Sequence, residues 1–439
     1  LRRDAGGRER VERLLGPAGV VWLSGSTWVE DPSFASATPF WTTPAVGEAR
    51  AAVPRADEAT IHAFARKGRA LPLMVHDRLE DLTRRLSRRW PLAPGAWCPG
   101  ELLERQASGP PGAPPRWLRA VAAESGVDLE NHRWGLSAHG RYRSRKVLVF
   151  LYPPGGAAAQ YVVKLPRHPS ENGRIENEIR ALTLLEARGL ADEGSVPSAV
   201  FSGHHGGLAL VGESMLYGAP LRSAMAGTPD DPLLDDAVAR FTTIALASAE
   251  HGEEAHSQVA SRVQGLVERF AGVGAPSPDE RSFLGEMVDA IAASGHRLPT
   301  VFEHGDAGTW NLLARPEGGV AILDWEAAEP HGMPLWDLFY FFRSYAMGPS
   351  PEPGADTRLF LEPSALGRRL GAAVADYRGH LGVAPELVAP LFFTCWLHRA
   401  MKESTRLPPE RRGKGTYRRL LRTCVEQRRS PALASILSS

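Results

Sequence analysis

The sequence predicts an α+β fold: a small antiparallel-sheet region, then a larger and mainly helical one, with an extra unit in front. Three observations carry that expectation. The stretch 107–115, Ala-Ser-Gly-Pro-Pro-Gly-Ala-Pro-Pro, is too rich in Pro and Gly for regular structure and reads as a linker. Two short apolar runs flank a Pro-Gly turn soon after it, the pattern of a hairpin. Beyond Gly218 apolar residues recur at helical spacing. At roughly 100–200 residues per domain, a chain of 439 residues has room for two to four structural units.

The elements follow in order. Residues 1–115 form an N-terminal extension that carries no chemical motif. Helices are expected near 59–67 and 78–88, followed by a Trp- and Pro-rich stretch at 90–97. The next unit is 116–215. Its run 146–152 (Lys-Val-Leu-Val-Phe-Leu-Tyr), the turn 153–156 and the run 160–165 (Gln-Tyr-Val-Val-Lys-Leu) make the hairpin. A helix is expected over 172–188, with Ile175, Ile179 and Leu182 as its apolar stripe and Gly189 as its stop. A strand at 209–211 leads into Gly212-Glu-Ser-Met215. The third unit, 216–439, is helical. Leu234, Val238, Phe241 and Ala245 share one helical face, and Leu366, Leu370, Val374, Tyr377 and Leu381 share another. Within it sits a strand–turn–strand, 311–314 and 320–323, around Arg315-Pro-Glu-Gly-Gly319.

Bulk properties exclude several classes of partner. The formal net charge is +1, so nothing draws the whole chain toward nucleic acid or a membrane surface. No apolar run approaches the ~18 residues of a spanning helix. The patch Val20-Val-Trp-Leu23 makes a poor secretory signal. The chain opens on Leu1 rather than Met, so further sequence upstream is expected. Cys98, Cys395 and Cys424 are odd in number and far apart, which argues against a disulfide framework or a zinc site and fits a reducing cytoplasm. Oligomeric state is left open.

The chemistry concentrates in His304-Gly-Asp-Ala-Gly-Thr-Trp-Asn311 and Ile322-Leu-Asp-Trp-Glu326. Asn311 opens the first strand of the strand–turn–strand and Asp324 closes the second. Although 13 positions apart, they should lie side by side, because the open ends of an antiparallel hairpin are within about 5 Å of each other. A carboxylate beside an amide oxygen is a hard-oxygen site suited to Mg²⁺, completed by phosphate oxygens and water. Asp306, five positions before Asn311, reaches the same pocket and can accept the proton of an attacking hydroxyl. His304 braces the loop by hydrogen bonds.

This segment resembles the aminoglycoside phosphotransferase/choline kinase superfamily, which shares the bilobal protein-kinase-like fold. The signature there is His-x-Asp, Asn five positions after the Asp, then an apolar strand ending in Asp. The resemblance implies Asp306 as catalytic base, with Asn311 and Asp324 as Mg²⁺ ligands. It implies ATP as phosphate donor and a small-molecule hydroxyl as acceptor. Lys164 ends an apolar strand where the family places the lysine that holds the α- and β-phosphates. Its expected partner is Glu178, which sits about 60° from Ile175 at the edge of the helix's apolar stripe; Glu176 lies about 100° off on the other side. Glu213 and Met215 stand where the family has its inter-lobe hinge, with backbone groups toward the adenine edge. The segment 137–144 is placed like the phosphate-covering loop, with Gly140 and Ser144 as its contacts, but it has no Gly-x-Gly-x-x-Gly. It fits a solvated basic turn, with Arg141, Arg143 and Arg145, equally well. Asp337 reads as an anchor for the catalytic loop. Glu326 could touch Mg²⁺ through water or be a solvated carboxylate. The motifs run from Trp134 to Phe342 and leave 1–115 uncovered.

The acceptor's charge stays open. Asp230, Asp231, Asp235, Asp236, Glu250, Glu253 and Glu254 could face a cation. The run 399–429, with eleven Lys/Arg against three Glu, would favour an anion, a lipid surface or a partner. Solvated helix faces are the ordinary explanation of both. Asp324 runs quickly into Pro330 and Asp337 without a segment resembling a protein-kinase activation loop, which argues for a small acceptor. A catalytically inactive nucleotide-binding or scaffolding protein on the same fold is the alternative, supported only by the missing glycine triplet.

Overall fold

One antiparallel sheet organises the first of two units in the computed structural model. Its strands are β1 (Val20–Ser24), β2 (Ser36–Thr43), β3 (Ala51–Pro54), β4 (Cys98–Glu104), β5 (Arg133–Ser137), β6 (Val147–Tyr152), β7 (Tyr161–Leu165), β8 (Ala199–His205) and β9 (Leu208–Ser214). They lie in the order β1-β4-β2-β3-β5-β6-β7-β9-β8. The structure describes the backbone of β1 to β4, and then residues 113–137, 146–191, 194–274, 276–348 and 354–438. The helices expected at 59–67 and 78–88, the stretch 90–97, most of the linker and the loop residues Gly140 and Ser144 lie outside the described residues.

The strands before residue 105 continue the sheet of the later ones, because β3 pairs with β5 through Ala51↔Ser137 and Ala52↔Leu136. The expected hairpin is present as β6 and β7, in the register Val149↔Val163 and Leu151↔Tyr161. Side chains alternate between the two faces of a strand, and the two faces take different helices. On one face α1 (Arg116–Glu124) sets Leu118, Val121 and Ala122 against Trp134, Val149, Leu151, Val163, Leu165 and Leu210. On the other, α2 (Asn172–Ala187) sets Ile175 against Ala209 and Val211, with Ile179 partly buried beside them. The expected stripe is therefore the packed one.

The unit comprises Leu1–Thr183 and Pro197–Leu216; the second comprises Leu184–Val196 and Tyr217–Ser439. Leu185, Leu190 and Val196 of the intervening stretch are buried. Ser195 O accepts from Ile322 N at 2.8 Å, and Arg240 donates to both Leu190 O and Ser195 Oγ at 2.6 Å.

The second unit is mainly helical: α3 (Pro232–Ser248), α4 (Glu253–Val273), α5 (Pro278–Ala292), α6 (Trp336–Ala346), α7 (Ala365–Leu381), α8 (Val388–Ser404) and α9 (Thr416–Glu426), with shorter turns between. The two apolar faces expected from sequence are buried on α3 and α7, except that Leu366 is half-buried. Pro232 at the first helical position and Asp231 as N-cap, accepting from Leu233 N at 3.0 Å, start α3 where the chain turns. Short strands frame the segment 304–324. β10 (Ala219–Pro220) pairs with β12 (Leu312–Ala314), which pairs with β13 (Val320–Ile322); β11 (Val301–Glu303) pairs with β14 (Glu329–Gly332). No helix among the described residues is long and apolar enough to cross a membrane. Cys395 and Cys424 are free thiols in the interior.

Candidate active site

In the first unit, strand alternation decides which residues meet. Val163 and Leu165 belong to the α1 face, so Lys164 between them points to the α2 face. Glu213 falls on that face too, in step with Ala209 and Val211. Lys164 Nζ lies 2.6 Å from Glu178 Oε1 and 2.9 Å from Glu213 Oε2. Glu178, on α2, is wholly buried. The expected pair Lys164–Glu178 is thus brought together. Glu213 enters differently from its expected part. Its side chain turns inward to Lys164, a feature that a backbone role at a hinge does not call for. Burial pushes the Glu213 carboxyl up to about 8, with Lys164 pulling the other way and Glu178 adding to the rise. Met215 donates its backbone N–H to Gln160 O at 2.9 Å. Lys146 Nζ also reaches Glu178, at 2.7 Å from Oε2.

In the second unit, the catalytic segment leaves β11 and is tied down along its whole length. His304 N and Gly305 N donate to the two carboxylate oxygens of Asp337, at 2.5 and 3.1 Å. Asp337 sits in the first turn of α6, so it anchors the loop as expected. Burial, then the neighbouring Glu303, push its carboxyl up to about 7. His304 is buried between two bonds that fix its tautomer. Nε2–H donates to Leu323 O at 2.9 Å, and Nδ1 accepts from Asp306 N at 3.1 Å. Only the neutral imidazole makes both bonds, and desolvation holds its pKa below the usual histidine value. His304 therefore spans the two arms that carry Asp306 and Asp324, the bracing role expected for it.

Gly305 has φ +72°, and a Cβ there would come within 2.1 Å of Ala327 O. Only glycine fits both the left-handed turn and that close approach. Asn311 ends a single turn of 3₁₀ helix just before β12, rather than opening the strand itself. Its amide nitrogen donates to Asp306 O at 2.9 Å and to Asp306 Oδ2 at 3.1 Å. Leu323 N donates to Asn311 O at 2.8 Å, which sets the residue before Asp324 against Asn311. Asp324 lies two residues beyond β13, in a left-handed conformation with φ 67° and ψ 61°. For a residue with a side chain this is a strained backbone, of the kind that concentrates at functional sites and costs about 1–3 kcal/mol.

Several neighbours of Asp306 come from parts of the chain that sequence reasoning did not connect with it. Its carboxylate is 36% exposed, and Arg399 Nη1 lies 3.9 Å from Oδ1. The same Nη1 donates to Gly305 O at 2.9 Å, and Lys402 Nζ reaches that oxygen at 3.4 Å. Arg399 is buried and stacks on the Tyr340 ring, 3.6 Å from its centroid. Trp310 Nε1 donates to Asp306 Oδ2 at 3.4 Å, while its ring stays exposed. Arg399 and Lys402 belong to a basic run that sequence presents as a solvated tail. Their spacing of three on α8 does put both on one helical face, the only signal available for them. Of the seven acidic residues weighed as a cation site, four are engaged elsewhere: Asp231 caps α3, Asp235 pairs with Arg369, Glu250 with Arg188 and Glu253 with Arg297.

Taken by its donor set, Asn311 and Asp324 offer one amide oxygen and one carboxylate, hard oxygens that fit Mg²⁺ and not a thiophilic metal. Asn311 commits its amide nitrogen to Asp306, which leaves the oxygen as the acceptor end. The Asp306 side chain stays 36% exposed beside the donors Asn311, Trp310 and Arg399.

The profile described as the phosphotransferase enzyme family matches residues 143–369, just over half of the 439. Among solved structures the chain is similar to an ethanolamine kinase from Plasmodium vivax, with 12% identity, a TM-score of 0.43, and coverage of 70% of this chain and 84% of the other. It is similar to an aminoglycoside phosphotransferase from Streptomyces rimosus in complex with ADP and streptomycin, at 16% identity and a TM-score of 0.33, covering 56% and 90%. A choline kinase from Streptococcus pneumoniae matches at 16% identity and a TM-score of 0.37, covering 66% and 92%. None of the curated proteins compared with the chain matches it.

Proposed function

This chain belongs to the phosphotransferase enzyme family, and from that premise we propose that it moves the γ-phosphate of ATP to a hydroxyl of a small molecule, in a Mg²⁺-dependent reaction with Asp306 as the base. The observation that carries the proposal is the arrangement around Asp306. Its carboxylate is held by the Asn311 amide at 3.1 Å while 36% of its surface stays open to an acceptor.

The roles follow from the contacts. Asp306 accepts the proton of the acceptor hydroxyl as its oxygen attacks the γ-phosphorus and the bond to the β,γ-bridging oxygen breaks, releasing ADP; a positioned base is worth about 10²–10⁴ in rate. Asn311 and Asp324 would hold Mg²⁺, which would offset the negative charge of the transferring phosphate. Lys164, set by Glu178, would meet the α- and β-phosphates. Glu213 and Met215 close the strand at the adenine end, and Gly140 and Ser144 would cover the phosphates. His304 and Asp337 act on the loop and not on the substrate. Residues 1–115 are proposed as an extension that serves acceptor recognition, partner binding or packing. The acceptor class is a hydroxyl compound such as an aminoglycoside, a sugar or an amino alcohol.

An ATP-consumption screen over aminoglycosides, macrolides, sugars, nucleosides and choline-like alcohols tests this. Turnover with one class should fall by about 10²–10⁴ in Asp306→Asn, with Mg-ATP binding retained. Failure of the unmodified protein to bind Mg-ATP would end the proposal. Binding without turnover across the whole panel would favour the scaffolding alternative.

A further inference from the structure

The sequence leaves the acceptor's charge open, and the surroundings of Asp306 within the second unit narrow it. Arg399 and Lys402 stand three residues apart on α8, so they share one face of the helix. Both meet the same carbonyl, Gly305 O. Arg399 reaches it through Nη1 at 2.9 Å and Lys402 through Nζ at 3.4 Å. That carbonyl belongs to the residue immediately before Asp306, and Arg399 Nη1 is also 3.9 Å from Asp306 Oδ1. Arg406, exposed, follows just past the end of the helix. All three lie beyond residue 369, where the match to the family profile ends. They stand beside the proposed base without belonging to the stretch that the profile describes.

The neighbouring carboxylates are turned to other partners. Glu403, next to Lys402 in sequence, accepts from Thr416 N at 2.7 Å and from Tyr417 N at 2.9 Å at the start of α9. Glu303 accepts from Met333 N at 3.1 Å and lies 3.6 Å from Arg262 Nη2. Among the described residues no carboxylate lies within ion-pair distance of Lys402 or Arg406. Arg399 also has donors to spare. Its buried Nε and Nη2 make no hydrogen bond among the described residues, and the Cys395 thiol beside the guanidinium is a weak partner. Burial holds the Lys402 ammonium below the usual lysine value; Arg399 and Arg406 deepen the drop, and Asp306 and Glu303 oppose it. A cationic acceptor brought to Asp306 would thus meet like charges, whereas an anionic one would meet donors.

We infer that the acceptor carries a carboxylate or phosphate group near the hydroxyl it offers to Asp306, and that Lys402 receives that group while Arg399 behind it supplies a second, fixed positive charge. The inference rests on the proposed kinase reading and narrows it. Among hydroxyl compounds it favours hydroxy acids, sugar acids and sugar phosphates over aminoglycosides and amino alcohols. The two cations have different parts because they are held differently. Lys402 is half-buried, and its 3.4 Å contact with Gly305 O is long for an ammonium donor, so it is free to turn to a ligand. Arg399 is buried, stacked on Tyr340 and bonded to Gly305 O, so it stays in place.

The test measures ATP consumption by the full chain with sets of compounds that differ in charge. One set is glucose, glucosamine, glucuronate and glucose phosphate; the other is glycerol, aminopropanediol, glycerate and glycerol phosphate. In kcat/KM an anionic member should exceed its neutral parent by about tenfold to a hundredfold, the worth of a charge-assisted hydrogen bond, and the amine should fall below the parent. The carboxylate and phosphate members show which anion is received. Lys402→Met should abolish the preference, Lys402→Arg should keep it, and Lys402→Glu should shift it toward the amine, with calorimetric Mg-ATP affinity unchanged in all three. A lysine that only offsets the negative end of α8 would alter stability and leave acceptor preference as it was, which would overturn the inference. So would an unmodified chain that binds Mg-ATP and turns over the amines as well as the anions. An unmodified chain that binds no Mg-ATP would refute the kinase reading itself, a distinct outcome.

Discussion

At the scale of single residues, the segment 304–324 depends on positions that offer no alternatives. Gly305 is the sharpest case. Its φ of +72° and its 2.1 Å approach to Ala327 O leave no room for a methyl group. Gly305→Ala should destabilise the protein by about 2 kcal/mol or more, the left-handed penalty of about 1–2 kcal/mol plus the displacement of the Ala327 carbonyl. Urea unfolding measures this, and a midpoint equal to that of the unmodified protein would refute it. Asp324 adopts a similar backbone without glycine's freedom. Aspartate and asparagine tolerate that region better than other residues with side chains, so the proposed metal ligand and the turn are met by one residue type. His304 was expected as a brace, and its two hydrogen bonds are of that kind. Arg399 was not expected beside Asp306. It lies 93 positions away in a run of basic residues, and a pattern of charge does not tell a buried guanidinium from a solvated one.

At the scale of elements, the anchor between the catalytic loop and α6 makes stability depend on pH. The Asp337 carboxyl is pushed up from the usual aspartate range to about 7 by burial and by Glu303. Below about pH 4 it is protonated in the folded and unfolded chain alike. Between about 4 and 7 only the folded form keeps its proton, so this contribution to stability is lost as pH rises through that window. Comparing urea midpoints at pH 5 and pH 7.5 for the unmodified protein and Asp337→Asn checks it. The variant should lose that part of the slope, and it should be less stable at both pH values by about 1–3 kcal/mol, since one backbone N–H loses its acceptor. An unchanged slope in the variant would count against the assignment. The strand bearing Lys164, the helix bearing Glu178 and the two strands between Asn311 and Asp324 were legible from local periodicity, because each is framed by an apolar pattern of period two or 3.6. Lys146 was not singled out, although its parity with Lys164 across the hairpin is written in the same pattern. As the first residue of an apolar run it resembles any strand-end lysine. The four strands before residue 105 escaped for another reason. Their pairing is with residues up to about eighty positions away, such as Val20 with Glu104 and Ser36 with Glu104, and local sequence does not encode partners at that range.

At the scale of the whole molecule, the second unit is closed by its own C-terminal helices. Arg418 of α9 makes two hydrogen bonds to Glu280 of α5, at 2.6 and 2.7 Å, and both side chains are buried. Glu280→Gln should cost about 3–5 kcal/mol by leaving a buried guanidinium without its counter-charge. Thermal unfolding of the full chain measures it, and a midpoint shift no larger than that of a surface substitution would contradict the assignment. The segment 184–196 has a further consequence for how the protein is made. It leaves the ribosome between two pieces of the sheet unit, yet Leu190 and Ser195 within it are held by Arg240 and by Ile322. Those partners are synthesised later, Ile322 more than a hundred residues after it. Nascent chains that have finished the sheet therefore carry this segment without those partners, for about 10 s at ordinary elongation rates. Chaperone demand during synthesis should concentrate on those thirteen residues, and shortened forms ending near 216 should aggregate where the full chain does not.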